Sequence, residues 1–393
     1  MNTVPTRTST WVSAAIATLA AHLLLWVGSP RLLVASEFDP AAAARPALQV
    51  FSDRAGLPQN TVHAISFDAF GRLWVGTQDG AAWTAGRGWH VVNMPDRMES
   101  NFVRAILSAS DGSLWFGTQA GGLYRLVQER WEDHSPPCPH PAGARVTALA
   151  ETLDPPALWV ATHGCGLARW SGGVWEFYGV AHGLPSEQVW GLHASPTDGS
   201  GPASLWVGTE KGVAVLAPGS NRCTVEPGLA GVSANSFLQL QTAQGDELWV
   251  GTYGAGVFRR RGGRWKSFTQ ADGLPSLFVT SLASHGESAP VWVGTDGGGL
   301  AAVMEDGITV VDTGSGLPSN AIYALAAAGW ERGGKALWIG TRSGGLVRMM
   351  HGRWRSLLPP TDGAPMPVTA LIVDARESSS PAAWFGMDGG GLA

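Results

Sequence analysis

A five-residue text, an aromatic-centred strand closed by Gly-Thr, returns eight times along the chain. It reads Leu73-Trp74-Val75-Gly76-Thr77, Leu114-Trp115-Phe116-Gly117-Thr118, Leu158-Trp159-Val160-Ala161-Thr162 and Leu205-Trp206-Val207-Gly208-Thr209. It continues as Leu248-Trp249-Val250-Gly251-Thr252, Val291-Trp292-Val293-Gly294-Thr295, Leu337-Trp338-Ile339-Gly340-Thr341 and Ala383-Trp384-Phe385-Gly386-Met387. The tryptophans lie 41, 44, 47, 43, 43, 46 and 46 residues apart. A period of about 40–50 residues holding several short strands marks an array of small antiparallel sheets around an axis, a β-propeller.

Each unit divides into four strands. Strand A is Val-x-small-Leu-like, as in Val62-His63-Ala64-Ile65, and strand B carries the tryptophan. Strand C is Gly-Leu-x-Arg, as in Gly345-Leu346-Val347-Arg348, and strand D is often Trp-x-x-Phe, as in Trp265-Lys266-Ser267-Phe268. Turns such as Asp111-Gly112-Ser113 and Arg261-Gly262-Gly263 fit hairpins that need φ > 0. Innermost strands crowd the axis, which explains Ala64, Ala105, Ala148, Gly191, Ser281, Ala324 and Ala370 in strand A, with Gln239 as the exception. The repeated tryptophans are expected to be wedges between blades rather than a sugar-binding stripe.

The expected fold class is therefore all-β, a propeller of eight tandem four-stranded repeats. Leu48-Gln49-Val50-Phe51 followed by Gly56-Leu57-Pro58 aligns with a strand D and its linker. The expectation is an eight-bladed ring in which Leu48–Phe51 supply the outer strand of the blade built from Val368–Val373, Ala383–Met387 and Gly391–Ala393. Pairing avoids open sheet edges. The competing closure pairs Leu48–Phe51 with Gly345–Met349, giving seven blades and an unfinished extra repeat.

Ahead of the repeats, Arg7 precedes an apolar run from Trp11 to Gly28, and Val34-Ala35-Ser36 offers a cleavage site. Residues 1–36 are expected to be an export signal or a membrane anchor, with residues 37–393 forming an extracytoplasmic propeller. Removing the signal takes away Arg7 and Arg31 and no acid, which moves the net charge from −5 to −7. That charge argues against a nucleic-acid partner. Cys138, Cys165 and Cys223 match no zinc spacing, and the reading preferred here is small buried apolar residues. No metal and no cofactor is expected.

The chain resembles the two-component regulator propeller repeats of periplasmic sensor regions in bacterial signalling receptors. The matching text is Gly316-Leu317-Pro318-Ser319-Asn320, Leu337-Trp338-Ile339-Gly340-Thr341 and Gly344-Gly345-Leu346. The resemblance implies a ligand-sensing ectodomain. In such receptors two seven-bladed propellers precede a β-sandwich, a membrane span and a kinase or cyclase. Eight repeats without a second hydrophobic span or an output motif suggest a truncated reading frame.

The D–A and B–C connections should share one face. There the residue after the motif threonine varies: Gln78, Gln119, His163, Glu210, Tyr253, Asp296, Arg342 and Asp388. A constant scaffold with one variable polar position per blade suits a binding ring. His63, Arg104, Trp190 and Tyr323 in strand A should stand at the channel mouth. Aromatic faces beside amides and carboxylates suit a small ligand such as an oligosaccharide. A propeller glycosidase would need two placed carboxylates. A sialidase would need a tyrosine nucleophile and an arginine cluster, yet only four tyrosines exist. No such set or serine-nucleophile motif is present, so no enzyme is expected, and a protein-interaction scaffold is the alternative, ahead of a glycosidase.

Overall fold

The computed structural model describes residues 48–86, 88–92, 101–120, 122–138, 145–195, 203–286, 289–330 and 334–350, with strands at 368–374, 382–387 and 391–392. The expected signal at residues 1–36 and the site candidate Asp388 lie outside the described residues. Contacts divide the chain into two units, one spanning Arg45–Arg353 and the other holding residues 1–44 and 354–393.

The first unit is a propeller of seven four-stranded antiparallel blades. In the first blade, strands A to D are Val62–Phe67, Leu73–Thr77, Gly80–Thr84 and His90–Val92. The other inner strands are Val103–Ser108, Arg145–Leu153, Val189–Ala194, Ala234–Thr242, Val279–Ala283 and Ile322–Trp330. Each touches the next, and the last touches the first. The helical segments among the described residues of this unit are single 3-10 turns, such as Asp53–Ala55 and Gln270–Asp272.

The eight-bladed closure is overturned, and the ring adopts the competing seven-bladed closure. Leu48–Phe51 pair with Leu346–Met349, so the outer strand of the seventh blade comes from the start of the repeats. The physical reason is that seven inner strands already close on themselves, which leaves no gap for an eighth. The fit at the join also matches that inside a continuous blade. Gly345 has φ +77°, and a Cβ there would lie 2.0 Å from the Phe51 carbonyl oxygen. Gly166 and Gly256 make the same approach to the carbonyls of Tyr178 and Phe268 at 2.3 Å. Leu48–Phe51 thus occupy the register of an ordinary strand D. The second unit contains a separate three-stranded sheet, Val368–Asp374, Ala382–Met387 and Gly391–Leu392.

The tryptophans are wedges between blades, as expected. Trp74 packs against Val103, Leu114 and Phe116 of the second blade. Trp115, Trp159, Trp206, Trp249 and Trp292 repeat the contact with successive blades. Trp338 closes the ring against Val62, Leu73 and Val75. Arginines of strand C lie opposite these tryptophans in the ladder and cover their rings, with Arg125, Arg169, Arg259 and Arg348 at 5.4 to 5.7 Å. The Gly-Leu-x-Arg text is therefore structural. The motif glycine has a packing reason too: a Cβ on Gly76 would come within 2.6 Å of Val103, and one on Gly340 within 2.8 Å of Val62.

One detail of strand A is corrected. In the fifth blade the small residue is Ser236, which lies opposite Gly251, whereas Gln239 lies opposite Leu248. The fifth blade is no exception.

Candidate functional site

Every inner strand of the ring carries a register shift at the same place. It falls between Val62 and Ala64, Val103 and Ala105, Val146 and Ala148, and Val189 and Gly191. It recurs between Ala234 and Ser236, Val279 and Ser281, and Ile322 and Ala324. The skipped residue is left without a ladder partner, which re-aims its side chain. The skipped residues are His63, Arg104, Thr147, Trp190, Asn235, Thr280 and Tyr323, and they include all four expected channel-mouth residues. The other three stitch the ring together. Thr147 Oγ1 donates to the Val189 carbonyl (2.7 Å), Asn235 Nδ2 to that of Val279 (2.7 Å) and Thr280 Oγ1 to that of Ile322 (2.6 Å).

The B–C loops are held by the motif threonine. Its hydroxyl donates to the carbonyl that opens strand C, for example Thr162 to Gly166 (2.7 Å) and Thr341 to Gly345 (2.8 Å). The variable residue that follows is pinned to the linker before strand A. The backbone N–H groups of Gln78, Gln119, Glu210, Tyr253, Asp296 and Arg342 donate to Thr61, Phe102, Gln188, Ser233, Phe278 and Ala321. Neighbouring blades are joined as well, since Gly164 N–H donates to Glu187, and across the closure Gly345 N–H donates to Asn60. The D–A and B–C connections therefore share one face, and the variable residues sit on it.

The structure groups these residues into sectors. Where the seventh, first and second blades meet, the His63 ring lies 4.7 Å from Tyr323 and 4.5 Å from Phe102. Arg104 lies over Phe102 at 4.9 Å and donates to the Gln119 amide oxygen. Burial holds the Tyr323 hydroxyl above its ordinary pKa, and the Asp296 carboxylate pushes the same way against Arg342 and Arg104. Asp296, Arg342 and Tyr323 are thus brought into one field. Beside them Tyr253 and Phe278 form an aromatic pair at 4.7 Å that is 53% and 45% exposed. His163 meets Trp190 in a separate sector at 4.8 Å. Glu210 is exposed on its own loop, and Gln78 accepts a long bond from Gln59 (3.5 Å).

Phe102, Arg145 and Phe278 belong to this face and were not among the expected site residues. All three occupy the position just before the first strand A valine. Its occupants are Thr61, Phe102, Arg145, Gln188, Ser233, Phe278 and Ala321, a third variable series that could have been read from the alignment of repeats.

Burial, aided by the Arg104 charge, pushes the His63 pKa down to about 3. The folded protein therefore keeps His63 neutral while the unfolded chain protonates it below about 6.5. Its contribution to stability is full above pH 6.5 and is lost as the pH falls toward 3. Between pH 6.5 and 5 the wild type should lose about 1–2 kcal/mol to this group. Urea unfolding of wild type and His63→Gln at both pH values checks it. An equal loss in the two proteins would contradict the assignment.

On the opposite face, two clefts lie between blades. One of about 220 Å³ is lined by Asp154, Trp159, Arg169 and Glu176, and another of about 420 Å³ by Glu247, Trp249, Arg259, Arg261 and Glu305. Apart from Asp154, their charges are committed to one another. Arg169 pairs with Glu176 (2.8 Å), and Arg259 and Arg261 both pair with Glu305 (2.7 Å), while Arg261 also holds the buried Glu247. Hydrogen bonds from Arg259 and Arg261 lower the Glu305 pKa, the reverse of what a glycosidase acid needs. No cluster of metal-ligating side chains exists among the described residues.

The cysteine reading is corrected. Cys138 and Cys165 form a disulfide with Cα atoms 6.1 Å apart, which ties the linker entering the third blade to that blade's B–C loop. Cys223 is free and buried, and burial raises its pKa to about 11. It is therefore an inert thiol at neutral pH.

The family model for the two component regulator propeller matches residues 56–79 and 98–120. Each segment covers a linker, strand A, strand B and the variable loop residue. The fold is similar to the extracellular domain of a protein from B. thetaiotaomicron described as a hybrid two component system, with TM-score 0.64 and 19% identity over 88% of this chain and 47% of that one. It is similar to a second B. thetaiotaomicron extracellular domain, described as a one component system, with TM-score 0.60 and 20% identity over 87% and 45%. PorZ, a surface component of the type-IX secretion system of Porphyromonas gingivalis, gives TM-score 0.57 and 18% identity over 78% and 48%. At such identities the likeness is one of fold. The chain spans about half the length of these solved structures. No curated protein matches it in sequence.

Proposed function

We propose that this propeller, two of whose repeats match the two component regulator propeller, is the extracytoplasmic ligand-sensing part of a bacterial signalling receptor. The observation that carries this reading is the variable face. Seven loops, each fixed by a threonine cap, present at one position a side chain that varies around the ring, with only Gln78 and Gln119 alike. In the sector of Tyr253, Phe278, Asp296, Tyr323 and Arg342, exposed aromatic rings lie beside charged groups. That composition suits the ring faces and hydroxyls of a saccharide, and stacking with charge-assisted hydrogen bonding would supply the affinity. Extracytoplasmic placement is supported by the disulfide, which persists in oxidising compartments, and by the described location of the similar folds. Residues 1–36 would serve as the export signal or anchor. The output module of the receptor would lie on a further segment or a partner.

A saccharide array probed with the purified chain, followed by calorimetry on any hit, tests this reading. Changing Tyr253, Asp296 and Arg342 together to alanine should weaken the hit by roughly a hundredfold or more and leave the melting temperature nearly unchanged. Trp249→Ala should instead lower stability wherever the ligand sits. Unchanged affinity in the triple variant would refute the site. Turnover would favour an enzyme, and a silent array would favour the scaffold.

A further inference from the structure

We propose that Arg104 and Arg145, at the channel mouth between the second and third blades, form a receptor for an oxyanion carried by the ligand, either a carboxylate or a sulfate or phosphate ester. The inference rests on the proposed sensing face and names the chemistry that part of it would take.

Five arginines elsewhere in the ring hold ion pairs among the described residues. Arg72 pairs with Asp68, Arg125 with Asp111 and Glu132, Arg169 with Glu176, and Arg259 and Arg261 with Glu305. A chain with net charge −5 has acids to spare. Yet neither Arg104 nor Arg145 pairs with a carboxylate among the described residues. Among the described residues the Arg104 guanidinium donates to the neutral amide oxygen of Gln119 and lies over the Phe102 ring, and Arg145 Nε, like Arg125 Nε and Arg260 Nε, is buried without a hydrogen-bond partner.

The two cations are also placed together. Arg104 is the residue turned out by the register shift in the second blade, and Arg145 opens the adjoining inner strand of the third. Burial lowers the Arg104 pKa to about 10, and the Arg145 charge pushes the same way. Two half-buried guanidinium groups so close repel each other, and an anion between them would relieve both. The surroundings supply aromatic walls. Phe102 lies between Arg104 and His63, and His63 stacks on Tyr323. Its pKa of about 3 keeps that imidazole neutral at physiological pH. The Gln119 amide and the Phe102 ring hold the Arg104 fork in place before any ligand arrives, and a fork of this kind suits carboxylate, sulfate and phosphate oxygens.

The test titrates the full chain calorimetrically with sodium glucuronate, sodium sulfate and sodium phosphate, and with glucose as the neutral counterpart. The proteins are wild type, Arg104→Gln, Arg145→Gln, and the Tyr253/Asp296/Arg342 triple alanine variant. At least one anion should bind the wild type, more weakly as sodium chloride is added, and each arginine substitution should weaken it about tenfold or more. Preference for glucuronate would identify a carboxylate ligand, and preference for the inorganic ions an ester. Without anion, both arginine variants should melt no lower than wild type, because each removes one of two repelling charges. Weakened binding in them then cannot be ascribed to unfolding. Anion affinity equal in wild type and both variants, or no anion binding to the wild type, would overturn the proposal. A neutral saccharide hit lost in the triple variant and kept in both arginine variants would overturn it while leaving the sensing face standing. Anion binding lost in the arginine variants, with the triple variant silent toward every change on the array, would support it and sink the saccharide sector.

Discussion

Trp338→Ala is expected to destabilise the ring by about 3–5 kcal/mol, the usual cost of truncating a fully buried tryptophan. Trp338 is 1% exposed and packs on Val62, Leu73 and Val75 of the first blade, and Phe51 stacks on it at 6.0 Å. It therefore holds two things at once, the seam between the last and first blades and the strand that completes the last blade. Trp265→Ala, in an outer strand and only partly buried, should cost less than half as much. Urea unfolding of the two variants measures the difference. The location also predicts a signature beyond the midpoint. Loss of the closing wedge should reduce the slope of the transition, because an opened ring exposes less additional surface on full unfolding. Equal costs for Trp338 and Trp265 would mean that the seam is not closed as described.

Cys138→Ser is expected to lower stability by about 3–4 kcal/mol, the loop-entropy value for a crosslink spanning 27 residues. Reductant should lower the wild type by a similar amount and leave Cys138→Ser unmoved. Cys223→Ser, which alters a buried thiol outside the bridge, should remain sensitive to reductant. Insensitivity of the wild type to reductant would show that the bridge contributes nothing.

The repeat made most of the architecture readable in the sequence. Trp74 and its counterparts could be assigned to seams because the same large side chain in every unit must fill the same slot. The motif threonine and the glycines around it had equally local reasons, a hydroxyl that caps a loop and a backbone that approaches another. Closure was not local. Leu48–Phe51 carry the text of an outer strand, which suits strand C at Leu346 as well as strand C at Gly391, and only the number of inner strands that fit around the axis decides between them. The register shift beside Val62, Val103 and their equivalents was also hidden, because Val-His-Ala-Ile looks like plain alternation. Gln239 was misplaced for a related reason. The inner strand Ala234–Thr242 runs nine residues, so Ser236 stands 13 residues before Trp249, whereas Ala64 and Ala105 stand 10 before Trp74 and Trp115. Of the site, Arg104 and Tyr323 were legible as large residues among small ones. Phe102, Arg145 and Phe278 were missed because they stand before the first valine of strand A and read as linker. Cys138 and Cys165 meet only through the apposition of a linker and a loop.

The way the ring is fastened has a mechanical consequence. Leu48 lies opposite Met349 and Phe51 opposite Leu346, so the chain enters and leaves the last blade at the same end of one four-residue ladder. Tension applied between the segment before Leu48 and the segment after Met350 would load those pairs one at a time, as a zipper is pulled, rather than all together in shear. Such a geometry yields at low force. The ring would thus be weakest where a tether on either side would grip it, and pulling would release the outer strand of the seventh blade before disturbing the loops that carry Asp296, Tyr323 and Arg342.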